Sequence, residues 1–462
     1  MNRLHPADLQ TLAPGTKVLF ATVPADGHVA PLTGLAVYLQ SIGCDVRWYT
    51  STAYQSRIEK LGVPFYPLVK ALDLAAGNTE EVFADRKNYK SMVAKLNYDF
   101  INLFIKRGPE YFEDIKAIYM DFPFDVMVVD IANTAIPLVR EIMNIPVAAG
   151  GIVPLVETST DLPPAGLGMT PSESAIGRVK QDVLRFMADK FLFARSTRAL
   201  KSMLAEYGID CPDTNMFDAL VKKSTLVLQS GTPGFEYKRS DKGHNIHFVG
   251  PLLPHSSNVV KDWYNEKLER YDKVILVTQG TVEKDIEKLL VPALEAFKET
   301  NCLVVATGGP HTQKLRDRFP YHNIIIEEYI SFESIMPYVD VYVTNGGYGG
   351  VLLGIQHGLP MVVAGVHEGK SEICARVGYF GLGINLKSER PSAKQLRKAV
   401  EAVLVNDEYR HKARRLSREF NSYQPGPLSA HHLAQVLNRR KKTQPNRVQE
   451  SIGVREPVEK RA

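Results

Sequence analysis

The chain has 462 residues, 44% of them hydrophobic and 23% charged, which is ordinary globular composition and too long for one common core, so two domains are expected. Its net charge of +5 is accounted for by the last residues, where Arg439, Arg440, Lys441, Lys442, Arg447, Arg455, Lys460 and Arg461 outnumber Glu450, Glu456 and Glu459 by five. The body is therefore near neutral, which argues against a nucleic-acid binder. Met1 to Gln10 is polar with Pro6, so no signal peptide is evident, and no apolar run reaches the ~18 residues needed to span a membrane. Cys44, Cys211, Cys302 and Cys374 are far apart and lack metal-ligand spacing; free thiols in a reducing cytoplasm follow as the expectation.

In chain order, short apolar runs read as strands of a first parallel sheet: Lys17–Val23, Asp45–Ser51, Asp125–Asp130, Pro146–Ile152 and Thr225–Ser230. Between them, Tyr89 to Phe104 carries apolar residues at helical spacing with Lys90, Lys95, Lys106 and Arg107 around them. It reads as an amphipathic helix that covers a core or lines a cleft, with a membrane-surface helix as the alternative. Arg239 to Asp262, polar and Pro-rich, reads as an interdomain linker. A second strand set follows at Lys273–Gln279, Cys302–Thr307, Asn323–Tyr329, Val339–Thr344, Pro360–Ala364 and Gly383–Leu386. Helical periods fill the gaps in both halves, the alternation of a doubly wound α/β fold met twice. Asn406 to Phe420 reads as a charged helix, and disorder is expected beyond about Arg440.

The most specific stretch is Asn345-Gly346-Gly347-Tyr348-Gly349-Gly350. It lies between a strand and Val351–His357, which reads as a helix. Glycines at such a junction let a ligand approach the backbone, and the new helix aims free N–H groups and its positive dipole end there. That is a backbone-built phosphate site.

The block from Tyr329 to Lys370, together with Gly27-His28-Val29-Ala30-Pro31 near the start, resembles the donor signature and the GHxxP loop of family 1 glycosyltransferases. The resemblance implies a GT-B fold, two doubly wound Rossmann-like domains facing a cleft. It implies an acceptor-binding domain over 1–250, a nucleotide-sugar-binding domain over 251–405 and helices over 406–438 crossing back to the first domain. A disordered basic tail follows over 439–462. His28, in a loop after the first strand, would be the general base that takes a proton from an acceptor hydroxyl. Asp130, ending another strand, would orient it, unless it merely caps the next helix. The implied chemistry is a single inverting displacement of a nucleoside diphosphate.

For the donor, the resemblance places Gly27, Gly280, Thr281, Tyr329, Ile330, Asn345, Gly346, Gly347, Tyr348, Gly349, Gly350, Glu368 and Lys370 at the site. Tyr329 would stack on the base and the Ile330 backbone would pair with its edge. Asn345 stands where a histidine is usual and can still donate a hydrogen bond. No metal is implied, and no cofactor beyond the nucleotide-sugar co-substrate. Two departures bear on the donor. Leu353 stands where plant members place the glutamate that holds both ribose hydroxyls, which tilts the reading toward a dTDP-sugar. Gly369-Lys370 replaces the acidic residue and glutamine that bind sugar hydroxyls. The chain is also similar to bacterial flavonoid glycosyltransferases, some of which use dTDP-rhamnose. The leading expectation is thus a dTDP-L-rhamnose-dependent transferase acting on a small aromatic acceptor, without stable membrane insertion. The alternatives are a UDP-glucose-dependent enzyme and a membrane-associated lipid glycosyltransferase. Gly150 to Gly168 and Tyr89 to Phe104 are the candidate acceptor walls.

Overall fold

The computed structural model describes residues 9–75, 83–255, 263–280, 283–367 and 369–443. Two all-parallel sheets organise it. The first has seven strands in the order β3-β2-β1-β4-β5-β6-β7: β1 Lys17–Ala21, β2 Asp45–Thr50, β3 Phe65–Pro67, β4 Val126–Asp130, β5 Val147–Gly151, β6 Leu226–Ser230 and β7 Ile246–Gly250. The second has six in the order β10-β9-β8-β11-β12-β13: β8 Lys273–Thr278, β9 Cys302–Thr307, β10 Ile324–Glu327, β11 Val341–Thr344, β12 Met361–Val363 and β13 Gly383–Asn385.

The central strands are apolar throughout because both faces are covered. Leu19, Ala21, Met127 and Val129 point into one core, while Val18, Phe20, Val126 and Val128 point into the other. The second sheet repeats the pattern, with Val274 and Leu276 on one side and Ile275 and Val277 on the opposite side. Each of the larger of these side chains contributes about 1.5–3 kcal/mol by burial. Phe20 stacks on Trp48 at 4.9 Å between centroids, so Phe20→Ala would remove both contact and volume at about 3–5 kcal/mol.

Five sequence expectations need correction. The edge strands β3 and β7 lie where no strand was expected, and β7 falls within the expected linker. Their residues are partly exposed, so neither shows a continuous apolar run. The last residues of that linker, 256–262, lie outside the described residues. The helix after β11 spans Tyr348–Gln356 and so takes in Gly349 and Gly350. Glycine is tolerable there because the first turn has no intrahelical N–H bonds to protect. Tyr89 to Phe104 is helical only from Met92 to Asp99 and then widens to a π turn over Phe100–Ile105, where the Asn102 side-chain amide donates to the Tyr98 carbonyl at 2.9 Å. Lastly, Arg439 to Thr443 continue the helix Pro425–Thr443. Cations suit the negative end of a helix dipole, so the basic run extends this helix. Residues 444–462 lie outside the described residues.

That last helix returns to the first sheet. Ala430, Leu433 and Ala434 pack in the same core as Val18, Phe20 and Val128. The helix Asp407–Phe420 packs instead on the second domain through Ala413, Leu416 and Phe420.

Candidate active site

In both sheets the strand order reverses between two neighbours, β1 and β4 in the first and β8 and β11 in the second. A crevice opens beyond the carboxyl ends of strands at such a point. His28, Asp130, Gly280 and Asn345 all lie at or just beyond the carboxyl ends of these four strands.

His28 is in the first turn of the helix Asp26–Ser41 rather than in a loop; its N–H donates to the Ala25 carbonyl at 2.9 Å. The short path from Ala21 to Asp26 brings the helix start directly over β4. His28 Nδ1 meets Asp130 Oδ1 at 2.9 Å, and the carboxylate is fully buried while the imidazole keeps partial exposure. Asp130 Oδ2 accepts the Val23 N–H at 2.7 Å, and Oδ1 also accepts the Ala132 N–H at 3.0 Å. Its bonds thus go to turn backbone and to His28; the next helix, Ile136–Ile142, has Ala135 at its N-cap and no side-chain cap. A carboxylate can only accept, so Nδ1 carries the proton and Nε2 keeps its lone pair. Burial disfavours the imidazolium, but the charge and hydrogen bond of Asp130 outweigh it and hold the His28 pKa above its ordinary value. At Gly27, a Cβ would meet nothing within 4 Å.

The second crevice is built from backbone. Asn345 Nδ2 donates to the Gln279 carbonyl, tying the β11 loop to the β8 loop beside Gly280. One of the two Asn345 amide N–H donors is thus used to join the loops, and the second is left to donate. Gly346 has φ +82°, and a Cβ there would lie 2.3 Å from Cys374 Sγ. Gly347 caps the helix Tyr348–Gln356, leaving the N–H groups of its first turn open. Gly349 has empty space where a Cβ would be, whereas Gly350 is small because the Tyr342 hydroxyl sits 3.0 Å from that point. The Tyr348 side chain turns away from this crevice: its hydroxyl donates to the Ser230 carbonyl of the first domain at 2.9 Å, so only its backbone faces the helix start.

Tyr329 is 71% exposed, and Ile330, 1% exposed, belongs to the core. Lys370, buried, begins the helix Lys370–Tyr379 after the left-handed Gly369. Burial raises the Glu283 carboxyl, but the Lys288 hydrogen bond, the Asp285 N–H and the charge of Lys288 outweigh it, with a small addition from Lys370, and hold it below its ordinary range. Thr281 and Glu368 lie outside the described residues.

Sequence reasoning missed the seam between the domains. Arg376, on the helix that begins at Lys370, is buried. Its Nε donates to Glu236 Oε1 at 3.0 Å and its Nη1 to Glu372 Oε2 at 2.8 Å, with the guanidinium 4.2 Å above the Tyr237 ring. Glu236 Oε2 accepts the Leu155 N–H at 3.0 Å and Glu372 Oε1 accepts the Gly168 N–H at 2.8 Å. The loop expected to wall the acceptor is thus pinned to a donor-domain helix. A small cleft lies between them, lined by Leu162, Pro164, Met169, Tyr237 and Arg376 among others.

A histidine–carboxylate pair on one sheet, facing a glycine-built helix start on another, defines a two-domain transferase of the GT-B class. The chain belongs to the family 1 GT-B glycosyltransferases, enzymes that move a sugar from a nucleotide-sugar donor. It is 36% identical over 408 residues to 4'-demethylrebeccamycin synthase of Lentzea aerocolonigenes, covering 88% of this chain and 96% of that one. It is 30% identical over 425 residues to UDP-glycosyltransferase 2 of Phaeomoniella chlamydospora, covering 88% and 92%. Residues 294–435 match the family described as Erythromycin biosynthesis protein CIII-like, C-terminal domain. Among solved structures, the spinosyn rhamnosyltransferase SpnG complexed with thymidine diphosphate shares the fold. Its TM-score is 0.63 at 15% identity, over 92% of this chain and all of that one.

Proposed function

We propose that this enzyme transfers L-rhamnose from dTDP-L-rhamnose to a hydroxyl of a small aromatic acceptor such as a flavonoid, with inversion and with His28 as the base. The observation that carries the donor reading is Leu353. It sits on the second turn of the glycine-started helix and packs against the apolar core, at the position where the family resemblance implies a carboxylate that would hold a ribose 2′-hydroxyl. Without that carboxylate a ribonucleotide forfeits roughly 1.5–3 kcal/mol of charge-assisted bonding, and a deoxyribonucleotide forfeits nothing comparable. The spinosyn rhamnosyltransferase that shares the fold binds thymidine diphosphate, which supports the same reading.

In the reaction, the acceptor O–H gives its proton to His28 Nε2 while its oxygen bonds to the anomeric carbon. The bond from that carbon to the diphosphate oxygen breaks, and the nucleoside diphosphate leaves from the opposite face. Asp130 stabilises the imidazolium as it forms. The open N–H groups after Gly347, with Gly280 close by, meet the negative charge that develops on the diphosphate. This chemistry assigns no resident metal or cofactor. The apolar and aromatic walls of the first domain, where Phe100 packs edge-on against Phe193 and Phe217, suit an aromatic acceptor.

The second reading, a UDP-sugar such as UDP-glucose, is supported by the name of the Phaeomoniella relative, a UDP-glycosyltransferase. Incubating the protein with a flavonol and either dTDP-rhamnose or UDP-glucose, and following product mass, separates the two. A rhamnoside that disappears in His28→Ala supports the proposal. A glucoside alone sinks the Leu353 argument and keeps the mechanism.

A further inference from the structure

The helix Ala175–Met187, with the π turn Ala188–Leu192 that continues it, has its polarity reversed. Ile176, Val179, Val183, Phe186 and Met187 recur at three- and four-residue spacing and form one stripe. These five, and Phe191 beyond them, are between 49% and 85% exposed. The opposite face is polar and engaged: buried Gln181 accepts the Ser172 N–H at 2.6 Å and donates to the Asp161 carbonyl at 3.3 Å. Arg185 donates to the Leu162 carbonyl. An ordinary surface helix turns its apolar stripe inward; this one turns it out. The Asn97 amide donates to the carbonyls of Val93 and Leu192 at 2.9 and 2.7 Å. Exposed Met92 and Val93 therefore adjoin the far end of the stripe.

Cations outnumber acids around it: Lys90, Arg178, Lys180, Lys190 and Arg195 are exposed, against exposed Glu173, Asp182, which pairs with Arg185, and Asp189, which accepts from Asn215. Among the described residues no helix is long and apolar enough to cross a membrane. An amphipathic helix with bulky apolar residues on one face and cations beside them is built to lie in a bilayer interface. The segment Tyr89 to Phe104 does not serve this purpose as a whole, because Phe100 points inward.

We propose that the 175–192 face is a peripheral docking surface for an anionic lipid bilayer. Its apolar side chains enter the boundary between headgroups and acyl chains, and its lysines and arginines meet lipid phosphates. Docked this way, the first domain draws on the phase in which apolar acceptors dissolve. The proposal is independent of the donor.

The test is co-sedimentation of the full chain with phosphatidylcholine vesicles, with and without about one-third phosphatidylglycerol. The comparison is Val183→Ser/Phe186→Ser, which leaves every charge, including the basic terminus, unchanged. The native protein should pellet with anionic vesicles, and the variant should partition at least about tenfold more weakly. Both substituted side chains are exposed, so the variant should keep its circular dichroism and its transfer to a water-soluble acceptor. No pelleting, or equal pelleting of the two proteins, overturns the proposal. So does a doubling of solution mass by light scattering that the variant abolishes, since the stripe would then belong to a second copy.

Discussion

Replacing Asp130 by Asn isolates the electrostatic part of the site. The carboxylate accepts three hydrogen bonds, from Val23 N–H, Ala132 N–H and His28 Nδ1. An amide has one accepting oxygen. If it faces Val23, the amide NH₂ donates to His28 Nδ1 and drives the ring proton to Nε2, the atom that must take the acceptor's proton. If it faces His28, the NH₂ confronts the Val23 N–H in a buried site. Either way a charge-assisted bond worth about 1.5–3 kcal/mol is lost. A unit charge about 4 Å away at an effective dielectric of 20 adds up to about 4 kcal/mol for the imidazolium. The expected result is a fall in kcat of roughly 10²–10⁴-fold, comparable in kind to mispositioned triads elsewhere. The donor KM should stay within about threefold, since Asp130 is not in the donor crevice. Because Asp130 raises the His28 pKa above 6.5, activity of the native enzyme should rise with pH through a limb above that value. In the variant the residual activity should titrate at lower pH. The assay is nucleoside diphosphate release against pH. A variant with kcat within twofold and an unmoved pH profile would refute the reasoning and leave Asp130 as a turn-forming residue.

Three other substitutions or conditions report on the rest of the fold. Arg376→Met removes the close ionic partner of buried Glu236, leaving Arg239 at 3.8 Å, and of half-buried Glu372, and should destabilise the protein by about 3 kcal/mol in urea unfolding; adding Glu236→Gln should recover part of this. Gly346→Ala forces a side chain into a left-handed backbone and against Cys374 Sγ. Calorimetric titration with a nucleoside diphosphate should show affinity at least about tenfold weaker, with only partial rescue by Cys374→Ala, which relieves the contact but not the φ strain. Burial and then the neighbouring His247 and His431 lower the His432 pKa to about 4. A depressed histidine contributes stability that is intact above pH 6.5 and lost as pH falls toward 4. Unfolding midpoints at pH 7 and pH 5 should differ, by on the order of 1–2 kcal/mol once screening of this partly exposed ring is allowed for.

The central strands were legible because burial on both faces leaves an unbroken apolar run, as in Val126–Asp130 or Val341–Thr344. The edge strands Phe65–Pro67 and Ile246–Gly250 were not, since a half-exposed strand of three to five residues looks like loop. His28 and Asp130, 102 residues apart, could be paired because the resemblance to the glycosyltransferase family implied both roles; β1 and β4 being neighbours is what brings them together. Nothing comparable announced Arg376 and Glu236, 140 residues apart; their meeting depends on how two separate domains abut. Tyr348 is placed at the donor site by its position in the resembling block, which bears on its backbone; that its hydroxyl reaches across the seam to Ser230 could not be read from that block. The spacing of Ile176 to Phe191 marks a helix without saying which side faces water, a matter decided by Gln181 and Arg185 on the opposite side.

The polypeptide passes between the domains twice, once after Gly250 and once between Phe420 and Pro425, where the final helix begins on its way to the Val18–Phe20 core. The second domain is therefore hung from two points, as a door is from two hinges, rather than trailing on one tether. Two attachments suppress twisting and sliding and leave swinging about the line that joins them as the easy motion. Opening by that swing would part the His28 crevice from the Gly347 helix start, and it would have to break bonds that cross the seam, among them Arg376 to Glu236, Glu372 to Gly168 and Tyr348 to Ser230.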